Sequence, residues 1–206
     1  MLGRGELEQA LLADGFQRIA GVDEAGRGPL AGPVVAAACI LPPQFDSQDI
    51  DDSKRLSPAA RRRLFERLRG DHSIDSAIFA VEPPEIDKIN ILQATLLAMR
   101  SAVDALRDLP DYLLIDGSTW LGHSLPGETV VKGDRLCYSI GAASVLAKEY
   151  RDQLMLEYHE RWPMYGFDRH KGYPTKAHYE ALAEHGPCPI HRLSFRGVQP
   201  EATLFT

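Results

Sequence analysis

The sequence has few cysteines and no long uninterrupted hydrophobic segment. Its three cysteines, Cys39, Cys137 and Cys188, are odd in number and widely spaced, which argues against a disulfide framework and favours a reducing, cytoplasmic location. The longest stretch without a charged side chain, residues 28–45, is interrupted by prolines, so its continuous apolar part is limited to residues 34–41. That length is typical of a β-strand, and a membrane span is not expected. The acidic N-terminus is also unlike a secretory signal.

A zinc site is one possibility that the cysteine pattern leaves open. His185, Cys188 and His191 lie close together in the sequence. A closed zinc site needs four ligands, however, and no fourth is evident nearby. Ordinary packing of these side chains is therefore the stronger interpretation.

Positive charge is scarce overall but concentrated near the C-terminus. The formal net charge of -6 argues against binding nucleic acid by bulk attraction. Residues 161–196 nevertheless contain six Lys or Arg residues against three Asp or Glu residues. This segment predicts a basic strip beside an acidic centre, the layout expected of a metal-dependent nuclease.

Hydrophobic periodicity predicts an α/β fold built as one domain, since 206 residues are enough for one sizeable core and few for two. A short helix is expected over residues 5–14 and a long one from 138 to about 159. Further helices should begin at Ser57-Pro58 and Asn90 and, near the end, at Pro174 or Thr175, finishing near His185. Strands are predicted over residues 16–22, 34–41, 74–81, 112–115 and 129–131.

Two adjacent carboxylates, Asp23 and Glu24, follow the first predicted strand and lead into Gly26-Arg27-Gly28. Carboxylates suit hard divalent cations, and a glycine-rich loop lets phosphate approach backbone amides. Neighbouring strand residues point to opposite faces, so both acids can join one metal cluster only if the strand ends or bulges there. A surface acidic pair before a tight turn is an equally good interpretation of this motif alone.

Other acids are presented in a similar way. Asp116 comes directly after a strand and Asp134 follows Gly133, and open α/β sheets place their chemistry at the carboxyl ends of strands. A helix cap or turn is the alternative role for each. Ser144 and Lys148 share a helix face that would point toward Asp134, unless that face is simply solvated.

The C-terminal segment alternates aromatic residues with bases and glycine, most clearly in His-Lys-Gly-Tyr-Pro-Thr at 170–175. Such a pattern is typical of a surface that stacks on bases and binds phosphates, but also of a packed loop. The final Leu204-Phe205 could bind a partner protein, although a tail that folds back or is disordered is the more ordinary interpretation.

Taken together, these motifs resemble bacterial ribonuclease HII in the same order along most of the chain. The matching blocks are Gly-Val-Asp-Glu-Ala-Gly-Arg-Gly-Pro-Leu-Ala-Gly at 21–32, Asp-Ser-Lys at 52–54, Ile-Asp-Gly at 115–117, Val-Lys-Gly-Asp at 131–134, Ala-Ala-Ser-Val-Leu-Ala-Lys at 142–148, Arg-Asp at 151–152 and the segment 170–175. The resemblance implies an RNase H-like fold, a mixed central β-sheet flanked by helices with a helical C-terminal region. Residues 1–206 would form one catalytic domain, with about 160–206 binding substrate.

The family's activity is endonucleolytic cleavage of the RNA strand of RNA–DNA hybrids and of single ribonucleotides embedded in duplex DNA, as in ribonucleotide excision repair. The expected products carry 3′-hydroxyl and 5′-phosphate ends. By this resemblance, Mg²⁺ or Mn²⁺ would be held as a pair of ions, about 4 Å apart, by the catalytic acids. Those acids are Asp23, Glu24, Asp116 and Asp134.

The resemblance also implies roles in substrate binding. The loop Gly26-Arg27-Gly28 would sense the ribose 2′-hydroxyl, and Tyr173 would stack on the sugar at the RNA–DNA junction. Phosphates would be held by Lys54, Ser144 and Lys148. A contact of the C-terminal tail with a replication clamp is a weaker implication.

Three residues depart from the commonest family pattern, namely Ser118, Gly141 and Leu193, and none of them removes a predicted metal ligand. Ribonuclease HIII is the nearest rival, but it carries an additional N-terminal domain, and few residues precede Asp23. A non-catalytic nucleic-acid-binding protein and a phosphate-binding metabolic enzyme are further alternatives, although the glycine spacing fits neither standard nucleotide motif.

Overall fold

The computed structural model describes residues 3–47, 49–50 and 56–199. Two of the sequence predictions, the phosphate contact of Lys54 and the partner contact of Leu204-Phe205, lie outside these residues.

A mixed five-stranded sheet forms the centre of the fold, as predicted, in the order β3-β2-β1-β4-β5. Strand β2 is antiparallel to both of its neighbours, β3 and β1, whereas β4 is parallel to both of its neighbours, β1 and β5. The parallel half therefore presents the carboxyl ends of β1, β4 and β5 at one edge. The strands are β1 Ile19–Ala25, β2 Val34–Ile40, β3 Asp75–Val81, β4 Tyr112–Asp116 and β5 Gly127–Val130.

The longer helices begin where their caps predict. The side chains of Ser57, Asn90 and Thr175 accept hydrogen bonds from backbone N–H groups in the first turns of their helices. Three short helices, α3, α5 and α7, were not predicted, because fewer than two turns leave little periodicity to detect. The helices are α1 Glu6–Ala13, α2 Pro58–Gly70, α3 Pro83–Ile89, α4 Ile91–Asp104, α5 Gly133–Leu136, α6 Tyr138–Arg161, α7 Phe167–His170 and α8 Lys176–His185.

Small residues allow a helix to lie close to each face of the sheet. Ala36 and Ala38 of β2 pack in the core layer of α4, whereas Ala37 of the same strand packs in the layer of α6. At Gly21 the backbone of α6 approaches β1 so closely that a Cβ atom would lie 2.1 Å from the carbonyl carbon of Ser139. In the part of the chain that the structure describes, no helix is both long enough and apolar enough to cross a membrane.

The C-terminal region packs on the loop that follows β1. Leu30 and Ala31 of that loop share a buried cluster with Phe167, Leu182 and Ile190. Helices α7 and α8 are thus fixed beside the carboxyl end of β1.

The first strand differs from its prediction. It begins at Ile19 and continues through Asp23 and Glu24 to Ala25, paired residue by residue with β2. The predicted end at Val22, and the strand end or bulge thought necessary between the two acids, are therefore wrong. Alanines opposite both acids in β2 leave room for an unbroken ladder.

Replacing Gly21 by alanine should destabilise the protein by about 2–3 kcal/mol, because the new methyl group must displace the backbone of α6. The free energy of unfolding in urea measures this loss. Gly70→Ala is the matched control, since a Cβ atom at Gly70 meets nothing within 4 Å. A loss at Gly21 no larger than that at Gly70 would contradict this account of the helix–strand contact.

Candidate active site

Three carboxylates meet at the carboxyl end of the parallel strands. Asp23 is 6% exposed on β1, and Asp116 ends β4, whose register places it beside Asp23. Burial raises the pKa of Asp23 well above its usual range, and the charges of Glu24 and Asp116 raise it further. Burial also raises the pKa of Glu24, with a contribution from Asp116. The three acids therefore form one electrostatic cluster.

Hydrogen bonds and one ion pair offset part of the free-energy cost of ionising Asp23 and Glu24. The Ser144 side chain, on α6, hydrogen-bonds the Asp23 carboxylate, and the Glu24 N–H donates to Asp23 Oδ1 at 2.7 Å. Both bonds favour the charged form of Asp23. The Arg27 guanidinium lies 3.2 Å from Glu24 Oε1 and partly offsets the rise in its pKa. Ser144, predicted as a phosphate contact, thus binds a carboxylate in this structure.

Asp134 is linked to the cluster through its own short helix. Asp116 Oδ1 accepts a hydrogen bond of 2.7 Å from the N–H of Gly133, and Asp134 follows in the first turn of α5, where it is buried. Arg4 donates to the Asp134 carbonyl at 3.1 Å. A Cβ atom at Gly141 would lie 2.8 Å from Arg4 Nη2, so the departure from alanine at this position makes room for Arg4.

The cluster suits a hard divalent cation by its chemistry. Its donors are carboxylate oxygens, and their negative charges are disfavoured by burial and by one another. A bound cation would relieve both penalties. Across residues 3–47, 49–50 and 56–199, no three His, Cys, Asp or Glu side chains already form a metal-binding group. The acids are thus gathered at one edge of the sheet without forming a complete coordination shell by themselves.

Beyond β1, the loop Gly26-Arg27-Gly28, here called the glycine loop, lies beside Tyr173. Gly26 has a left-handed φ of 93°, and a Cβ atom there would lie 2.1 Å from Arg151 Nε. A Cβ atom at Gly28 would lie 3.7 Å from the Tyr173 ring, which is 41% exposed. The N–H of Leu30 donates to the carbonyl of Gly172 at 2.8 Å. The structure therefore brings an exposed loop and an exposed aromatic ring together.

Lys148 lies in a network of charges. Its Nζ is 2.7 Å from Asp152 Oδ1, and the second oxygen of Asp152 is 2.9 Å from Arg61 Nη2. Arg61 also contacts Glu149 at 3.1 Å. Lys148, predicted to hold a phosphate, is therefore aligned by a carboxylate, and a phosphate would have to share it.

Three histidines lie behind Tyr173, in a supporting role that the sequence does not predict. The N–H of Cys188 donates to His191 Nδ1 at 2.9 Å, so the proton of His191 lies on Nε2. That nitrogen is 3.0 Å from His178 Nε2, and His178 Nδ1 in turn donates to the Tyr173 carbonyl at 3.0 Å. His170 stacks on His178 with ring centroids 4.5 Å apart. These bonds require neutral rings, and burial lowers the pKa of each histidine.

The alternative zinc site is not formed. His191 binds the backbone and side chain of Cys188 through Nδ1, whereas His185 lies beside Tyr165 and Glu184. All three cysteines are free, and each is buried.

Comparison with known proteins identifies relatives of this chain by sequence and by fold. The profile of the family described as Ribonuclease HII matches residues 20–198. The chain is 54% identical over 192 residues to the Ribonuclease HII of Syntrophotalea carbinolica, covering 93% of this chain and 91% of that protein.

Solved structures give the same result for the fold. The ribonuclease H2 of Pyrococcus horikoshii OT3 matches with a TM-score of 0.75 at 27% identity, covering 88% of this chain and 95% of that one. Bst-RNase HIII in complex with Mn²⁺ matches with a TM-score of 0.69 at 18% identity, covering 89% of this chain and 68% of that one. The second likeness shows the fold alone.

Acidification should destabilise the protein through the histidines. Burial lowers the pKa of His191 from 6.5 to about 4, so below pH 6.5 the unfolded chain binds a proton that the folded chain excludes. Stability from this residue is complete above pH 6.5 and falls by about 3 kcal/mol as the pH drops to about 4. Glu8, Asp23, Glu24 and Glu82, whose pKa values are raised, act in the opposite direction.

The contribution of His191 to the pH dependence of stability is therefore measured as the difference between wild type and a variant. Urea unfolding of wild type and His191→Gln between pH 7 and 4.5 should show a flatter decline for the variant, whatever its absolute stability. His72→Gln, at an exposed position, is the control and should follow the wild type. Parallel curves for wild type and His191→Gln would show that His191 does not titrate in this way.

Proposed function

Because the chain belongs to the ribonuclease HII family and is a ribonuclease H that cleaves RNA in RNA–DNA hybrids, we propose a finer description of its activity. The protein hydrolyses one phosphodiester bond on the 5′ side of a ribonucleotide, including a single ribonucleotide embedded in duplex DNA. It leaves 3′-hydroxyl and 5′-phosphate ends. Divalent cations, Mg²⁺ or Mn²⁺, are held by Asp23, Glu24, Asp116 and Asp134.

One observation supports this proposal above the others. The strand that carries Asp23 and Glu24 runs on without a break into the loop that packs against Tyr173. A scissile phosphate at the acids therefore places the adjoining sugar at the loop. The two parts of the site suit one nucleotide.

The residues divide the work as follows. When bound, a pair of cations supplies an activated water and stabilises the leaving oxygen. The Ser144 hydroxyl hydrogen-bonds the Asp23 carboxylate and favours its charged form, which is the form that binds a cation. The N–H of Gly133 fixes the orientation of Asp116. Arg27 balances the charge of Glu24 until substrate and metal arrive.

On the substrate-binding side, the sugar of the substrate can come close to the protein backbone. Glycine at position 28 leaves the loop without a side chain where it faces Tyr173, so a ribose can approach both the backbone and the ring. A backbone N–H can bond the 2′-hydroxyl, which DNA lacks. Lys148 and the exposed bases of segment 161–196 would follow the phosphates of the duplex, whereas Arg192 of that segment is buried and is not part of the predicted basic strip.

A replication-clamp contact through Leu204-Phe205 stays a prediction, as does the role of Lys54. A non-catalytic nucleic-acid-binding protein is the alternative function. It is distinguished by the absence of any cleavage under the conditions below.

Asp116→Asn should lower metal-dependent cleavage of a duplex with one ribonucleotide by about 1000-fold, because the variant loses one metal-ligating charge. Single-turnover rates with Mg²⁺ or Mn²⁺ measure the effect, and calorimetric titration with Mn²⁺ should show weaker binding. Asp14→Asn, at an exposed position, is the matched control. Full activity in Asp116→Asn, or none in wild type, would reject the proposed reaction.

Tyr173→Ala should raise KM for the single-ribonucleotide duplex by about 10- to 100-fold through loss of stacking. Tyr179 is also 41% exposed and provides the control Tyr179→Ala. Steady-state cleavage of the same duplex by both variants makes the comparison. Equal effects at the two positions would remove the specific role of Tyr173.

A further inference from the structure

Two arginines, Arg192 of the C-terminal region and Arg151 of α6, are buried beneath the glycine loop. Arg192 is fully buried and donates three hydrogen bonds to backbone carbonyls. Its Nε binds Gly32 at 2.9 Å, its Nη1 binds Arg27 at 3.0 Å, and its Nη2 binds Gly26. One guanidinium therefore bonds three carbonyl groups on the buried side of the loop.

Arg151, which is 1% exposed, holds the other side. It donates to the carbonyls of Pro33 and Ala31, each at 3.0 Å, and of Lys171 at 3.1 Å. Its guanidinium carbon lies 5.9 Å from the centre of the Tyr173 ring. Arg151 thus connects the loop to the segment that carries Tyr173.

This arrangement is electrostatically costly. Among the residues that the structure describes, neither arginine has a carboxylate within 4.0 Å. Burial lowers the pKa of Arg192 to about 9, with a contribution from the charge of Arg151, and that of Arg151 to about 10. Both remain cationic at neutral pH. Apolar side chains would join two loops at lower cost, but they could not orient six carbonyl groups.

Orienting a carbonyl also orients an N–H group. In a trans peptide unit the C=O and N–H bonds are coplanar and point in opposite directions. Arg192 holds the carbonyls of Gly26 and Arg27 inward. The N–H groups of the same peptide units, which belong to Arg27 and Gly28, are therefore turned away from it, at two exposed residues.

We propose that Arg192 and Arg151 are positioning residues that set the preference for ribose over deoxyribose. Arg192 fixes the peptide planes of the glycine loop, so that the N–H groups of Arg27 and Gly28 are aimed at a 2′-hydroxyl. Arg151 holds the continuation of that loop, at Ala31 and Pro33, against the segment that carries Tyr173. This inference rests on the proposed function of the same loop.

The experiment measures the preference for ribose over deoxyribose, not the cleavage rate alone. For each protein, KM is measured for a duplex with one ribonucleotide, and the all-DNA duplex of identical sequence is used as a competitor to give Ki. The ratio of Ki to KM reports discrimination. Arg192→Lys keeps the charge but loses the fork of donors, and should lower this ratio about tenfold with Ki nearly unchanged. A purely structural defect would lower the active fraction, which changes neither KM nor Ki.

Arg62→Lys, at an exposed arginine paired with Glu66, is the control and should keep the wild-type ratio. Should circular dichroism show that Arg192→Lys does not fold, Arg151→Lys tests the second arginine. The same loss in the ratio of Ki to KM is expected. A wild-type ratio in a folded variant overturns this inference alone. A wild-type protein without any preference removes the proposed function, and this inference with it.

Discussion

Repulsion among buried carboxylates is the constraint on which this site depends. Asp23, Glu24 and Asp116 lie where burial and mutual charge disfavour their ionised forms. A hydroxyl from α6, backbone N–H groups and one arginine offset that cost in part. Folding thereby stores an unfavourable interaction that a divalent cation can relieve. The acids are gathered by the sheet, and the remaining adjustment is left to metal binding.

The sheet explains why residues distant in sequence meet. Parallel pairing of β1 with β4, and of β4 with β5, aligns their carboxyl ends. Asp116 ends one strand, and Asp134 lies in the short helix after another. Ser144 reaches the same edge because small residues let α6 lie directly on β1. Tight packing far from solvent is thus a condition for the chemistry at the edge.

Much of this could be predicted from sequence, but not all of it. Capping residues at 57, 90 and 175 and apolar periodicity identified the longer helices. Motif order predicted four acids, and the structure brings Asp23, Glu24 and Asp116 together. The end of β1 was misplaced, because a local pattern treats Asp23 and Glu24 as strand-breaking, whereas pairing with alanines of β2 accommodates them. The roles of Arg192 and the histidines were missed. Arginine and histidine near a chain terminus are expected to be exposed at the surface. Only the tertiary contacts show that these side chains are buried.

The buried arginines and histidines have a common physical effect. The histidine chain ends on the carbonyl of Tyr173, and Arg151 binds that of Lys171, two residues earlier. Arg192 binds the loop opposite, and Leu30 joins the two segments directly. Each contact is made to backbone, so it restricts peptide orientation whatever side chain the position carries. A site that must distinguish one hydroxyl group needs such restriction, because a loop free to rotate its peptide planes could bind ribose and deoxyribose nearly equally.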